Sequence, residues 1–267
     1  MLLARREHAH AILYSPESLL RILVPIASGL LGIYLVTQIF KYVGGHDYQL
    51  GLERLFNLGL ENNIPTWYAS ATLLLCSGML AMIATGQRRL GDRYAGHWLG
   101  LGIIFLYLSL DEAASIHELL STVLEDAWHT SGFLTYAWVI PAGVLTFLIA
   151  LSYLRFIAAL PRTSRRRFVT AGGLYVGGAL YVEAVAAKYD SLYGVMNLPY
   201  ACLVALEEGL EMYGVVVFAY GLASHIASHM SNWSIALGRS GSERRHAWES
   251  DSETSNPPSR VTRVRQP

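Results

Sequence analysis

The sequence has 267 residues, of which 53% are hydrophobic and 15% charged, and its formal net charge is zero. That balance is too apolar for an ordinary soluble domain and carries no basic excess for a nucleic-acid partner. It points to a membrane protein, and the order of apolar segments along the chain predicts an all-α fold.

A polar segment, residues 1–20, opens the chain with Arg5, Arg6 and Glu7 and is too polar to form an apolar signal core. A bilayer core about 30 Å thick needs roughly 20 apolar residues in a helix. Six stretches reach that length, at about residues 22–43, 65–86, 97–120, 133–155, 168–188 and 198–224. They predict a six-helix transmembrane domain over residues 21–237. The loop 41–64 carries Leu50, Leu52, Leu55, Phe56, Leu58 and Leu60, the pattern of a short amphipathic element. Pro141 and Gly143 predict a kink in the fourth span. The fifth holds Gly172, Gly173, Gly177 and Gly178, small residues that let helices approach closely, so a neighbour or a second copy is expected on that face. Cys76 and Cys202 fall inside spans and read as small buried side chains. Residues 238–267, rich in Ser, Arg and Glu with Pro257-Pro258, predict a disordered cytoplasmic tail.

Orientation follows from the basic residues. With six spans, 17 of the 20 Lys and Arg fall on one side, and only Lys41, Arg54 and Lys188 on the other. The positive-inside rule then places both termini in the cytoplasm, in the cell membrane, with membrane lipid as the surrounding partner. The acidic residues are distributed in the opposite sense. Thirteen carboxylates lie outside or in the outer halves of spans, against three basic residues, a formal balance of −10.

Seven of those carboxylates belong to the spans themselves. The third carries Asp111, Glu112 and Glu118 beside His117, the fifth Glu183, and the sixth Glu207, Glu208 and Glu211. Each ionised group at mid-membrane costs about 2.5–3.5 kcal/mol even on lenient scales, so such a set demands protons, bound cations or water. On a straight helix Asp111 and Glu118 point the same way two turns apart, and Glu207, Glu208 and Glu211 share a face. The three spans reach one depth, which suggests one site.

A divalent metal ion held by several carboxylates and one imidazole satisfies that set. Asp111, His117, Glu118, Glu207 and Glu211 are the expected ligands, with Glu112, Glu183 and Glu208 as general base or supporting groups. The function this predicts is a metal-dependent membrane hydrolase or oxidoreductase acting on a lipid-like substrate. Two other readings stand beside it. One is a proton- or cation-coupled carrier or channel using the carboxylates as exchange sites, and the other a non-catalytic subunit of a membrane complex. The spans contain no Glu-x-x-His pair of the di-iron type and no His-Glu-x-x-His. His225 and His229, at i and i+4 in the last span, have a spacing that can hold zinc, but two ligands alone are not a site.

Overall fold

A computed structural model describes residues 15–45 and 51–229; the predicted tail 238–267, residues 1–14, and His46 and Asp47 lie outside the described residues. All of the regular structure described is helical. The helices are α1 (Pro16–Tyr42), α2 (Leu52–Phe56), α3 (Ile64–Arg89), α4 (Ala95–Ala114), α5 (Ile116–Trp128), α6 (Val139–Ala159), α7 (Arg162–Val176), α8 (Glu183–Tyr193) and α9 (Leu198–His229). A 3₁₀ turn, Gly132–Leu134, precedes α6, and a π-helical segment, Gly177–Val182, joins α7 to α8.

Four stretches are long and apolar enough to cross a membrane: Pro16–Tyr42, Ile64–Arg89, Val139–Ala159 and Arg162–Tyr193. Counted as one span, the bent pair Ala95–Ala114 and Ile116–Glu125 makes a fifth; the sixth span expected over 198–224 is not among them. α6 illustrates why these helices belong in lipid. In its apolar window only 6% of residues are buried within the protein, and Val144, Leu145, Phe147, Leu148, Leu151 and Leu154 all face outward. In water such a surface would drive association.

Local signals set the helix starts. Ser15 caps α1 by accepting from the Ser18 N–H at 3.3 Å, with Pro16 behind it, so α1 begins inside the polar segment assigned to residues 1–20. Asn63 caps α3, its side-chain oxygen accepting from the Thr66 N–H at 3.1 Å. The predicted amphipathic element is the short α2, followed by the buried Leu58. The predicted kink in α6 is not formed. The helix starts only at Val139, so Pro141 sits in its first turn, where its missing N–H costs no hydrogen bond.

α9 is the central strut, packed against α1, α3 and α7. Close approach relies on glycines of α9 as much as on those of the fifth span. A Cβ at Gly214 would stand 2.9 Å from the Tyr175 nitrogen, and one at Gly221 would stand 2.9 Å from the Phe168 ring. Of the four predicted contact glycines only Gly178 is tightly packed; Gly172, Gly173 and Gly177 have open space. Hydroxyls bind α3 to α4: Ser77 donates to the Gly102 carbonyl at 2.8 Å, and Ser70 and Ser109 each donate to the other's carbonyl at 2.8 Å. Cys76 is buried as expected, but Cys202 is exposed on α9.

The largest departure within a predicted span is in the third. It is not one helix over 97–120 but two, bent by 74° at Ser115, which adopts a left-handed conformation at φ 55°, ψ 39°. A non-glycine residue there costs about 1–2 kcal/mol. The cost is offset locally, because the Asp111 carboxylate accepts from the His117 N–H at 2.9 Å and so caps α5.

Candidate functional site

The break at Ser115 determines where the predicted residues go. Asp111 bends back over the start of α5, and its second oxygen lies 3.1 Å from Nδ1 of His117. The imidazole is thereby anchored on one side, and its Nε2 lies 3.5 Å from Oε1 of Glu61. The result is a three-residue relay, Asp111–His117–Glu61, joining α4, α5 and the α2–α3 connection. Glu118 does not share a face with Asp111, as it would on a straight helix. The bend swings it into an open cavity of about 500 Å³ lined also by Glu53, Arg54, Leu60, Glu61, Asn62 and Ser115.

Glu61 belongs to this site, although sequence reasoning did not place it among the candidate residues. It is held by an asparagine-rich turn. Asn63 donates to the carbonyls of Asn57 and Leu60 at 2.6 and 2.7 Å, and Asn62 takes a left-handed φ of 61°. Three asparagines in seven residues were the available signal of a tight turn that aims its intervening side chain. Burial raises the Glu61 carboxyl from its ordinary 4.5 to about 7; Glu118 and Asp111 reinforce this and His117 opposes it. One of its oxygens, Oε2, is buried without a hydrogen-bond partner.

A second group of carboxylates lies deeper. Glu112, adjacent in sequence to Asp111, lines a void of about 10 Å³ with Glu208, Glu211, Tyr175 and Thr72. That is about the room one water molecule requires. Glu207, although next to Glu208, does not line that void and lies within reach of Glu183. Trp138 spans the two groups. Its indole N–H donates to Glu183 Oε1 at 3.3 Å, and its ring lies 5.1 Å from that of His117. Farther out, the Tyr136 hydroxyl contacts Asp190 at 3.2 Å and Tyr200 at 2.9 Å.

The π segment accounts for the placement of Glu183. Its wider turn ends immediately before this residue, and Gly178 within it lets the backbone press against Glu207–Glu211. Single-turn π segments recur at functional sites because they re-aim side chains in this way.

The predicted metal ligands can be tested against this geometry. Asp111 and His117 are bonded to each other, Glu118 faces the open cavity, Glu207 faces Glu183, and Glu211 lines the inner void. Among the described residues no three His, Cys, Asp or Glu side chains are disposed to hold a metal ion. The five expected ligands are therefore distributed over two carboxylate groups and a relay, and they do not fit one ion. Lys188, the basic residue nearest in sequence, lies over the Phe133 ring at 6.0 Å.

The family described as domain of unknown function DUF8692 matches residues 23–226. The chain belongs to that family. Its matched region takes in the relay, both carboxylate groups and Trp138, so in this DUF8692 chain the whole candidate site lies within the family domain. No curated protein and no solved structure matches the chain.

The carboxyl of Glu61 gives a test of the site that needs no knowledge of the reaction. Its folded value lies above its unfolded one, so the native state holds this proton more tightly. That contribution to stability is complete below about pH 4.5 and is lost as pH rises through about 7. In detergent, the wild-type melting temperature should fall across this window relative to Glu61→Gln. Parallel curves for the two proteins would place Glu61 in water.

Proposed function

We propose that this chain is a six-span protein of the cell membrane, both termini cytoplasmic, that exchanges protons between an outward-facing vestibule and a buried carboxylate store. The observation that carries the reading is the position of His117, anchored by Asp111 at Nδ1 and facing Glu61 at Nε2 on the edge of the open cavity. Imidazole is the side chain best suited to pass a proton between two such partners. Behind it, Glu112, Glu208 and Glu211 converge on the inner void, and Glu183 and Glu207 face one another. Carboxylates so placed, away from compensating cations, are stable when they share protons. Proton-coupled transport uses such stores. Toward the cytoplasmic end the core turns aromatic, with Phe105 stacked on Phe218 at 4.5 Å and Phe168 against both Phe218 and Trp98. That plug supports access from one side at a time. The open flank at Gly172, Gly173 and Gly177 is where we place the predicted contact with a second copy.

Reconstituted in liposomes under an imposed pH gradient, the wild type should carry proton flux, and His117→Gln should reduce it at least tenfold. Undiminished flux in His117→Gln would end the reading. The size of the vestibule favours one alternative, an acid–base enzyme acting on a lipid headgroup, because about 500 Å³ is within the range of small-molecule sites. That alternative predicts a His117-dependent product from lipid extracts in detergent, with no flux.

Orientation is tested separately at Ser115, which lines the vestibule. In a background lacking Cys76 and Cys202, Ser115→Cys should react with an impermeant thiol reagent added outside. Reaction only from the cytoplasmic face would reverse the topology.

A further inference from the structure

α5 is amphipathic in an inverted sense. Its polar stripe His117, Ser121 and Glu125, four residues apart, turns toward the protein. Ser121 is buried and donates to Glu125 at 2.6 Å, and His117 is held by Asp111. On the other face Leu119, Leu120, Val123 and Trp128 are between 41% and 68% exposed. A helix with its polar side inward and its apolar side outward belongs against lipid, not water. The 74° bend turns α5 away from the direction of α4, so with α4 crossing the bilayer α5 lies close to the membrane plane. Trp128 at its end is a residue type that settles at headgroup depth.

The vestibule opens beside this helix. Ser115, its N-cap, and Glu118, in its first turn, form part of the wall, and Glu53, Arg54 and Leu60 form another part. The wall carries charges of both signs. Lys41 pairs with Glu53, whereas Arg54 and Glu118 form no ion pair with any described residue, nor with each other. One cation and one anion set in a cavity of about 500 Å³ complement a ligand that carries both charges itself.

We propose that the vestibule binds the headgroup of a zwitterionic aminophospholipid, with Arg54 at its phosphate, Glu118 at its ammonium and the acyl chains along the exposed face of α5. A guanidinium presents paired N–H donors that match a phosphate. A primary ammonium offers three N–H donors to a carboxylate, and a trimethylammonium offers none. An anionic headgroup lacking an amine would reach Arg54 but leave Glu118 facing a second negative charge. Such binding rests on the same vestibule as the proposed proton exchange but needs no proton transfer, so His117→Gln should lose flux and keep the lipid.

Native mass spectrometry of the full chain in detergent, titrated with phosphatidylethanolamine, phosphatidylcholine or phosphatidylglycerol of matched chains, reads the bound lipid directly. The wild type should retain one phosphatidylethanolamine, at least tenfold more tightly than phosphatidylglycerol and several-fold more tightly than phosphatidylcholine. Arg54 and Glu118 are exposed, so changing either leaves folding intact. Glu118→Gln should weaken phosphatidylethanolamine about tenfold and remove its advantage over phosphatidylcholine. Arg54→Gln should weaken both zwitterionic lipids. Free phosphoethanolamine, which has no chains to lie on α5, should bind at least tenfold more weakly than the lipid. Equal retention of the three lipids, unchanged affinity in Glu118→Gln or Arg54→Gln, or free phosphoethanolamine binding as tightly as the lipid overturns the proposal. Equal retention beside intact wild-type flux would overturn the lipid site alone and leave the proton reading standing.

Discussion

Gly178→Val is expected to leave almost no folded protein, while Gly177→Ala, one residue away, folds as well as the wild type. A Cβ at position 178 would stand 2.8 Å from the Glu207 carbonyl oxygen, 2.9 Å from Glu211 Cγ and 3.2 Å from Leu210 Cβ. The nearest atom is backbone and cannot rotate away, so α9 must separate from the π segment. Overpacking of this kind costs about 1–3 kcal/mol where side chains can adjust, and more where they cannot. The same displacement pulls Glu183 from Glu207, so any surviving Gly178→Ala protein should also lose proton flux. At Gly177 the added methyl meets nothing within 4 Å, and alanine is the better helix former. Thermal unfolding in detergent distinguishes the two variants. Equal stability would remove the close contact on which the carboxylate geometry depends.

Asp111→Ala is expected to lower stability by about 2–4 kcal/mol, because one side chain performs two tasks. It caps α5 at the His117 N–H and it anchors the His117 ring. Without it the left-handed Ser115 loses the interaction that offsets its strain, and the third span is free to straighten. Adding Ser115→Gly to Asp111→Ala should recover about 1 kcal/mol, since glycine adopts this conformation without the Cβ penalty. It should not recover proton flux, because the imidazole remains unanchored. Full recovery of both by glycine would assign Asp111 a capping role alone. Asp111→Asn separates the tasks from the other direction: an amide oxygen still caps the helix but carries no charge to hold an imidazolium.

The membrane character and the all-helical fold were legible because apolar runs of about 20 residues require no tertiary information. Burial in lipid is decided segment by segment, and α6 is the extreme case, almost wholly outward-facing. The acidic groups were legible for a similar reason. Glu112, Glu183, Glu207, Glu208 and Glu211 stand out in any apolar segment, and three of them, Glu112, Glu208 and Glu211, line one void.

What one-dimensional periodicity could not supply was the path of the third span. Projected on a straight helix, Asp111 and Glu118 share a face and suggest shared ligation; the 74° bend separates them and returns His117 to Asp111 instead. Nothing in Ala113-Ala114-Ser115 announces the break, since it forms only where a carboxylate four residues earlier captures a freed N–H. Glu61 was equally out of reach, being brought to His117 by a turn whose direction depends on where α3 packs. A helix face can be read from sequence because it repeats every 3.6 residues. A contact between a loop and a broken helix has no period, so the relay is a product of the tertiary structure alone.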